Sequence, residues 1–359
     1  MRFRLSLLII CMLLAITSTA VLAVPPRYMV TDLGTLGSDS VEVAGMNDSG
    51  QVVGYSQMSS GYTHAFLYTP ASGMTDLGAI WGENHSYARG INNSGQVVGA
   101  FQSHERYGTI SRGFLYTPGM GMTTLATQEG RPSYANDISD SGQVTGYYTD
   151  TSGYPHVFLY AAGLGVTDTG VGGRPKAINN LGQVVGNNDV FFNGYWVGFS
   201  TFLYAPGSGK TDLTTMGMPN DINDSGRIVG VFRTNAGQSH AFLYTSGSLR
   251  IDLGTLGADS SVARAINNSD QVVGYQGRAF LYNSDMGMAS LNSLLDQSGL
   301  GWDLVDAQAI NNRGQIAGWG FNPSGQKTAF LLTPVPEPSS LLAFGSGLLA
   351  LGGLIRRRR

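Results

Sequence analysis

The sequence predicts an all-β fold, a seven-bladed β-propeller of four-stranded blades closed by its N-terminal strand. Three observations support this prediction. A nonapeptide of the form INNSGQVVG recurs seven times, a motif of the form AFLY follows each copy, and a motif of the form MTDLG recurs intact or degenerate. The intervals between successive nonapeptides are 45, 47, 40, 44, 44 and 44 residues. A period of this length is typical of propeller blades.

Each repeat supplies four short extended segments, which end in or contain Ile-Asn, Gln-Val-Val-Gly-Tyr, Ala-Phe-Leu-Tyr and Met-Thr-Asp-Leu. The Val-Val and Phe-Leu-Tyr segments place apolar groups on both faces of a strand, so both faces should be buried. A propeller provides this burial because each blade is covered by two neighbours. The last repeat stops at Thr333 without a fourth strand. We therefore expect Tyr28 to Leu33 to pair with the strand around Thr328 to Leu332 and close the ring.

The composition agrees with an all-β chain. The 359 residues include 51 glycines, and only 13% are charged, which favours short strands and tight turns over surface helices. The formal net charge is −3, so the chain lacks the basic character of a nucleic-acid binder. The single cysteine, Cys11, lies in the first apolar stretch. Disulfides and cysteine-based metal sites or nucleophiles are therefore not expected in the mature protein.

The N-terminal residues 1–23 have the order of a secretory signal peptide. Arg2 and Arg4 precede an apolar run, and small residues follow up to Ala23. Signal peptidase is expected to cleave between Ala23 and Val24, which leaves a propeller domain over residues 24–334. The alternative is an uncleaved membrane anchor.

The C-terminal residues 335–359 contain three parts in a fixed order. Pro336, Glu337 and Pro338 come first, and residues 339–355 carry no charge. As a helix this segment would be about 25 Å long, close to the thickness of a bilayer core. It is predicted to be a transmembrane helix, and the final cluster would hold the terminus in the cytoplasm. That cluster consists of Arg356, Arg357, Arg358 and Arg359.

This arrangement resembles the PEP-CTERM sorting signal. The resemblance implies a Gram-negative bacterium, transient residence in the inner membrane, and recognition by an exosortase near the Pro-Glu-Pro motif. Processing would then deliver the protein to the cell surface or the extracellular matrix. A permanent single-span anchor is the alternative.

The repeats resemble the HAF repeat of bacterial extracellular proteins, named for a His-Ala-Phe that occurs here at 64–66 and 240–242. This resemblance covers nearly the whole mature chain and brings no established activity. The histidine occurs in three copies, as His64, His156 and His240. Capping of a strand or packing on tyrosine is the favoured interpretation of these side chains.

The nonapeptide is interpreted as a turn. Its third position is always Asn or Asp, and its fifth is Gly except at Asp270. These residues accept positive φ and bond to their own backbone. Calcium is the alternative, because Asp and Asn oxygens are ligands for hard cations. Copies without a carboxylate, such as INNLG and INNRG, favour the turn, so no cofactor is predicted. The recurrent Asp of MTDLG is expected to bond a neighbouring turn amide, with a place on the channel as the alternative.

Four segments depart from the repeat, at 81–90, 103–108, 187–199 and 293–306, and are expected to form loops between strands. They contain Trp81, Trp196 and Trp302, which we consider a candidate ligand rim. Aromatic side chains beside a few carboxylates are typical of carbohydrate sites, so exopolysaccharide is the candidate ligand.

No Ser-His-Asp, HExxH or P-loop pattern is present, and no catalytic residue is predicted. The predicted function is that of an exported surface or matrix protein, a non-enzymatic binding or structural module. The alternative is an extracellular glycosidase or lyase acting on polysaccharide. Such an enzyme needs convergent carboxylates or histidines at the channel mouth, about 5 Å apart in a retaining glycosidase.

Overall fold

The computed structural model describes residues 26–80, 85–105, 108–125, 131–192, 195–213, 217–247 and 250–336. Several predicted features lie outside these ranges, namely the signal peptide with Ala23 and Val24, Trp81, Glu337, Pro338, the helix over 339–355 and the arginine cluster 356–359. Within the described ranges, no helix has the length and apolar character needed to cross a membrane.

The described residues form seven antiparallel four-stranded sheets, which confirms the predicted propeller. Blade 1 contains β2 (Gly37–Met46), β3 (Val52–Met58), β4 (Thr63–Thr69) and β5 (Gly73–Gly78). Blade 2 contains β6 (Ser86–Ile91), β7 (Val97–Glu105), β8 (Gly108–Thr117) and β9 (Gly121–Thr124). Blade 3 contains β10 (Ser133–Ile138), β11 (Val144–Thr149), β12 (Pro155–Ala161) and β13 (Gly165–Gly172).

The remaining blades repeat this order. Blade 4 contains β14 (Arg174–Ile178), β15 (Val184–Phe192), β16 (Tyr195–Ala205) and β17 (Gly209–Leu213). Blade 5 contains β18 (Met218–Ile222), β19 (Ile228–Arg233), β20 (Ser239–Tyr244) and β21 (Ile251–Gly254). Blade 6 contains β22 (Val262–Ile266), β23 (Val272–Tyr275), β24 (Ala279–Asn283) and β25 (Gly287–Ser290). Blade 7 contains β26 (Asp303–Ile310), β27 (Ile316–Phe321), β28 (Lys327–Val335) and β1 (Arg27–Gly34).

The N-terminal strand closes the ring as predicted. β1 pairs antiparallel with β28, with Tyr28 opposite Pro334 and Val30 opposite Leu332. Tyr28 is 1% exposed and packs with the two 3-10 turns that precede β26, Leu291–Leu294 and Gln297–Gly299. The closure pairs β28, which would otherwise be the edge strand of an incomplete three-stranded blade, and gives blade 7 the same four strands as the others.

The hydrophobic core lies between adjacent blades. The phenylalanine of every AFLY-type motif is 0% exposed, and the first Val or Ile of the Val-Val pair in every described blade is also 0% exposed. The clusters join residues of neighbouring blades, as where Val53 packs with Ala88 and Val97. Burial on both strand faces is therefore confirmed.

The propeller has two faces, which we name by their connections. The turn face carries the nonapeptide turns and the connections from third to fourth strands. The linker face carries the connections from second to third strands and from one blade to the next. The first strand of each blade is innermost and lines the central channel.

The departures from the repeat are not all loops, which corrects the expectation. Residues 103–108 and 187–199 mostly extend two long hairpins, β7–β8 and β15–β16, and residues 86–90 belong to β6. Residues 293–306 contain 3-10 turns and the start of β26. Lengthening a hairpin lets inserted residues pair their backbone groups with each other, whereas a long loop would leave those groups to solvent. The described residues of all four departures lie at the linker face or begin there.

Candidate functional site

The second residue of the nonapeptide builds the turn. In blade 1, Asn47 Oδ1 accepts hydrogen bonds from the backbone N–H groups of Ser49 and Gln51, both at 3.1 Å. Its Nδ2 donates to Gln51 Oε1 at 2.7 Å and to the Asn92 carbonyl of the next blade at 3.0 Å. Asn47 is 3% exposed, so one buried amide satisfies its own turn and binds the neighbouring blade.

This bond between blades recurs around the ring at 2.9–3.2 Å, from the Nδ2 atoms of Asn47, Asn92, Asn179, Asn223, Asn267 and Asn311. Blade 3 has Ser139 at this position, whose side chain is too short to make the same bond. There Asp137 Oδ2 accepts from the backbone N–H of Ile178 in blade 4 at 2.9 Å. A different side chain therefore maintains the link.

The third residues of the nonapeptides form a closed ring at the mouth of the channel on the turn face. Each backbone N–H donates to the side-chain Oδ1 of the next blade at 2.8–2.9 Å. The ring runs through Asp48, Asn93, Asp140, Asn180, Asp224, Asn268, Asn312 and back to Asp48. Carboxylates occupy alternate blades and are separated by amides that donate to them. The motif is therefore a turn, and its Asn or Asp also joins the blades, a role that the turn interpretation did not predict.

The one exception at the fifth position is accommodated locally. Asp270 has φ 60° and is the only described non-glycine residue with positive φ. Its carboxylate accepts from Asn223 Nδ2 at 3.0 Å and forms an ion pair with Arg227. Arg227 takes the place of the usual glutamine of the motif, so the ion pair offsets part of the backbone strain.

Carboxyl groups lie inside the channel at two positions. Asp137 Oδ1 accepts from its neighbour Ile138 N–H, and Asp221 Oδ1 and Oδ2 accept from Ile222 N–H and Ile266 N–H at 2.8 and 2.9 Å. Burial raises the pKa of Asp137 to about 6 and that of Asp221 to about 7, in the latter case with help from the charge of Asp137. Both side chains are partly exposed in the channel, and the surrounding protein limits their contact with bulk water.

Three basic residues also face the channel, one in each of blades 2, 4 and 6. Arg89, Lys176 and Arg264 each occupy a bulge of the innermost strand, where the register shifts by one residue. Asn136, Asn220 and Gln308 occupy the equivalent bulges of blades 3, 5 and 7, and Ala44 that of blade 1. The extra residue of a bulge is unpaired and re-aims its side chain, here into the channel.

The aspartates of the MTDLG motif do not line the channel. They lie on the outermost strands of the five blades that carry them, and Asp32, Asp76, Asp168 and Asp252 each accept from the backbone N–H two residues later at 2.7–2.9 Å. These aspartates are hydrogen-bond acceptors as expected, but the donor is an amide of the same strand and not of a neighbouring turn.

The motif histidines are structural at these positions. His64 and His240 bind Asp76 and Asp252 through Nδ1 at 2.9 Å. His156 stacks on Tyr148 with centroids 5.2 Å apart and contacts Asp150 at 3.1 Å. Packing on tyrosine holds for His156, whereas the other two join the third and fourth strands.

Of the candidate rim, Trp302 is the residue whose side chain is described. It is half-buried against the cluster around Tyr28 and Leu291 and precedes β26 at the linker face. Trp196 belongs to β16, beside the hairpin tip on the same face, and its side chain lies outside the described part. The described residues contain no group of three or more His, Cys, Asp or Glu side chains suited to a metal ion.

Residues 334–359 match the family model described as the PEP-CTERM protein-sorting motif. The chain carries a PEP-CTERM sorting motif. Pro336 follows the end of β28, which reaches the turn face, where Pro334 lies near the turn at Gly314. The PEP-CTERM segment therefore leaves the propeller from the turn face, opposite the linker face.

The chain is similar to several solved structures at low sequence identity. The β-propeller domain of the Trilobed protease from Pyrococcus furiosus, described as having an open velcro topology, is 7% identical with a TM-score of 0.51, covering 86% of this chain and 94% of that one. The acylaminoacyl peptidase of Pyrococcus horikoshii is 11% identical (TM-score 0.48; 70% of this chain), and the chain spans only 46% of its length. The BP39L lectin from Burkholderia pseudomallei is 8% identical (TM-score 0.46; 87% of this chain and 98% of that one). No curated protein is significantly similar in sequence.

Proposed function

We propose that this protein is an HAF-repeat protein of the cell surface or extracellular matrix that binds exopolysaccharide, without catalysis, through its linker face. The sorting motif indicates export toward the surface or extracellular space of a Gram-negative bacterium. The exported part is a β-propeller. One observation supports the assignment of the linker face: the chain leaves the propeller at the opposite end. A protein held by its C-terminus would direct the linker face away from the membrane.

The two faces also differ in what they offer a ligand. At the turn face, the Asn and Asp side chains of the nonapeptide turns are occupied by hydrogen bonds between blades. The linker face carries the lengthened hairpins and the half-buried Trp302. Variable segments displayed on a rigid scaffold are where binding residues concentrate.

A glycan array and a pull-down with native exopolysaccharide test this proposal. We expect the purified chain to bind, and Trp81→Ala, Trp196→Ala and Trp302→Ala to weaken binding. Leu164→Ala is the matched control, because Leu164 is 83% exposed in a connection on the turn face. Because Trp302 packs on the core, its variant needs a melting curve beside the binding measurement. Unchanged binding in all three folded tryptophan variants would refute the proposed surface.

The sorting motif is consistent with recognition by an exosortase during export. We further propose that signal peptidase removes residues 1–23 and that the exosortase acts near Pro336, Glu337 and Pro338. The helix 339–355 and Arg356–Arg359 would hold the precursor in the inner membrane. Replacing Glu337 by Ala should cause a longer chain to accumulate in the membrane fraction. Surface delivery of that variant at the native level would contradict the proposal.

A polysaccharide-acting enzyme is the second candidate, and the channel carboxyl groups favour it. A pKa near neutrality suits a general acid, and burial gives Asp137 and Asp221 such values. The hydrogen bonds that these two carboxyl groups accept from backbone amides would equally serve a structural role. Depolymerisation of exopolysaccharide by the native chain, lost in Asp221→Asn, would establish the enzyme over the binding module.

A further inference from the structure

Some of the cationic side chains in or near the channel form ion pairs with carboxylates, and others do not. Arg264 Nη2 binds Asp306 Oδ2 at 2.9 Å, and Asp306 is 4% exposed. Arg174, which begins β14, binds Asp189 at 2.8 Å. Arg89 and Lys176 have no carboxylate partner among the described side chains, although both face the channel. We propose that the channel is an anion site, in which Arg89 and Lys176 bind a carboxylate, sulfate or phosphate group.

The carboxyl groups inside the channel, Asp137 and Asp221, are held by the backbone and not by the cations. Both oxygens of Asp137 and both of Asp221 accept backbone N–H groups, as described above. Burial also raises their pKa values, so that part of each population is protonated at neutral pH. The backbone therefore holds these carboxyl groups in place, and neither of them forms an ion pair with Arg89 or Lys176 in the described part of the chain.

The cations also repel one another. Lys176 is exposed to the channel, where partial desolvation lowers its pKa and the charges of Arg89, Arg174 and Arg264 lower it further. Like charges gathered in a recess surrounded by protein destabilise the charged forms unless an opposite charge is present. An anion bound between Arg89 and Lys176 would remove this repulsion and gain charge-assisted hydrogen bonds.

An uncharged amide, Asn136, also lines the recess. Asn136 occupies the bulge of blade 3, between blade 2 with Arg89 and blade 4 with Lys176. Its Nδ2 donates to the Pro175 carbonyl at 2.5 Å. Its Oδ1 is buried without a hydrogen-bond partner. A buried acceptor of this kind needs a donor. Because this oxygen has almost no accessible surface, a small donor such as a single water molecule would supply that hydrogen bond.

Tyrosines flank Arg89 towards the linker face. Tyr55 and Tyr87 meet edge to face with centroids 5.1 Å apart, and Tyr134 and Tyr147 stack at 4.8 Å. The charge of Arg89 lowers the pKa of both Tyr55 and Tyr147, against the larger raising effect of burial, so Arg89 lies near both pairs. Aromatic rings beside a cation suit an acid group carried on a sugar ring.

The size of the recess limits the ligand. The cavity at this level is about 190 Å³, below the several hundred Å³ of drug-sized ligand pockets. It can take one hydrated oxyanion or the acid group of a terminal sugar, and not the length of a chain. The anion site depends on the geometry of the channel alone, whereas its use for an acidic sugar also rests on the proposed function.

Calorimetric titration of the purified full chain tests the site. Sodium sulfate probes a free oxyanion, glucuronic acid probes an acidic sugar, and glucose is the neutral counterpart, all at constant ionic strength. We expect sulfate and glucuronic acid to bind and glucose not to bind. Arg89→Gln and Lys176→Gln should each weaken binding by about tenfold or more, the effect of losing one charge-assisted hydrogen bond. Lys176→Arg should retain binding.

Arg233→Gln is the matched control. Arg233 is exposed at the end of β19, so this substitution removes the same charge outside the channel. Failure of both sulfate and glucuronic acid to bind, or binding that survives both glutamine variants, would overturn the anion site. If glycan-array binding persisted in that case, the proposed function would still hold. If sulfate bound through Arg89 and Lys176 while no glycan bound, the anion site would stand and its use for a sugar would fall.

Discussion

Gly54 on β3 lies directly opposite Phe66 on β4, and the phenylalanine ring occupies the space where a side chain at Gly54 would be. A Cβ built on Gly54 would lie 2.9 Å from Phe66 Cε1 and closer still to the Glu42 carbonyl oxygen. The same pairing of the last nonapeptide glycine with the AFLY phenylalanine recurs in every blade. Two motifs that are separate in the sequence are therefore one packing unit.

This pairing predicts that Gly54→Ala destabilises the propeller. The added methyl group must displace the ring or the β2 backbone, and overpacking of this kind costs about 1–3 kcal/mol. Gly45→Ala is the control, because the nearest atoms to its Cβ would be 3.4 Å away. Urea unfolding of both variants measures the difference. Equal stability of the two variants would contradict the packing unit.

The ring of hydrogen bonds at the turn face predicts that the stability of the propeller depends on the charges of the side chains in that ring. Asn93 Nδ2 donates to Asp48 Oδ2 at 3.2 Å and to Asp140 Oδ2 at 3.0 Å. Asn93→Asp would remove both donors and place three carboxylates side by side, so we expect a loss of about 1 kcal/mol that shrinks at high salt.

Asn312→Asp is the comparison for this ring, because Asn312 has one carboxylate neighbour, Asp48, and one amide neighbour, Asn268. It should destabilise less than Asn93→Asp. Unfolding free energies at low and high salt test the order of the two variants, and a reversed order would refute the role of alternation.

The architecture was predictable from the sequence because its signals repeat. Seven copies of one spacing gave the blades, and the missing fourth strand of the last repeat gave the closure. Asp270 at a glycine position was also predictable, since Asp tolerates positive φ.

The channel was not predictable in the same way. Arg89, Lys176 and Asp137 lie just before the nonapeptides, where each copy differs. The orientation of their side chains depends on a β-bulge, and no residue type in the sequence predicts that bulge. A signal was nevertheless present. Basic residues precede the nonapeptide in blades 2, 4 and 6, and Asn-Asp occurs at the end of β10 and β18 in blades 3 and 5. Only a comparison of alternate repeats would have found it.

The channel carboxyl groups predict a pH dependence of stability. Asp137 and Asp221 have a reference pKa of 3.8, raised in the folded chain to about 6 and about 7. Between about pH 4 and pH 7 the folded state therefore binds more protons than the unfolded state, and the unfolding free energy falls as the pH rises. The slope is at most about 1.4 kcal/mol per pH unit for each group.

Asp137→Asn combined with Asp221→Asn should flatten this slope, whatever the absolute stability of the double variant. Asp39→Asn, which changes an exposed carboxylate outside the channel, controls for net charge. Urea unfolding at four or five pH values measures the slopes. A double variant with the native slope would show that other groups cause the dependence.

The closing strand predicts a contrast between two adjacent residues. Tyr28 is 1% exposed and packs with Leu291 and Leu294, whereas Met29 is 45% exposed. Tyr28→Ala would leave a cavity where β1 joins blade 7, at a cost of about 3–5 kcal/mol by analogy with other buried aromatic residues. Met29→Ala should stay within about 0.5 kcal/mol of the native chain. Because β1 is the fourth strand of blade 7, Tyr28→Ala should also speed amide exchange along β28 before global unfolding. Native exchange rates in β28 of that variant would show that the ring is held closed by other contacts.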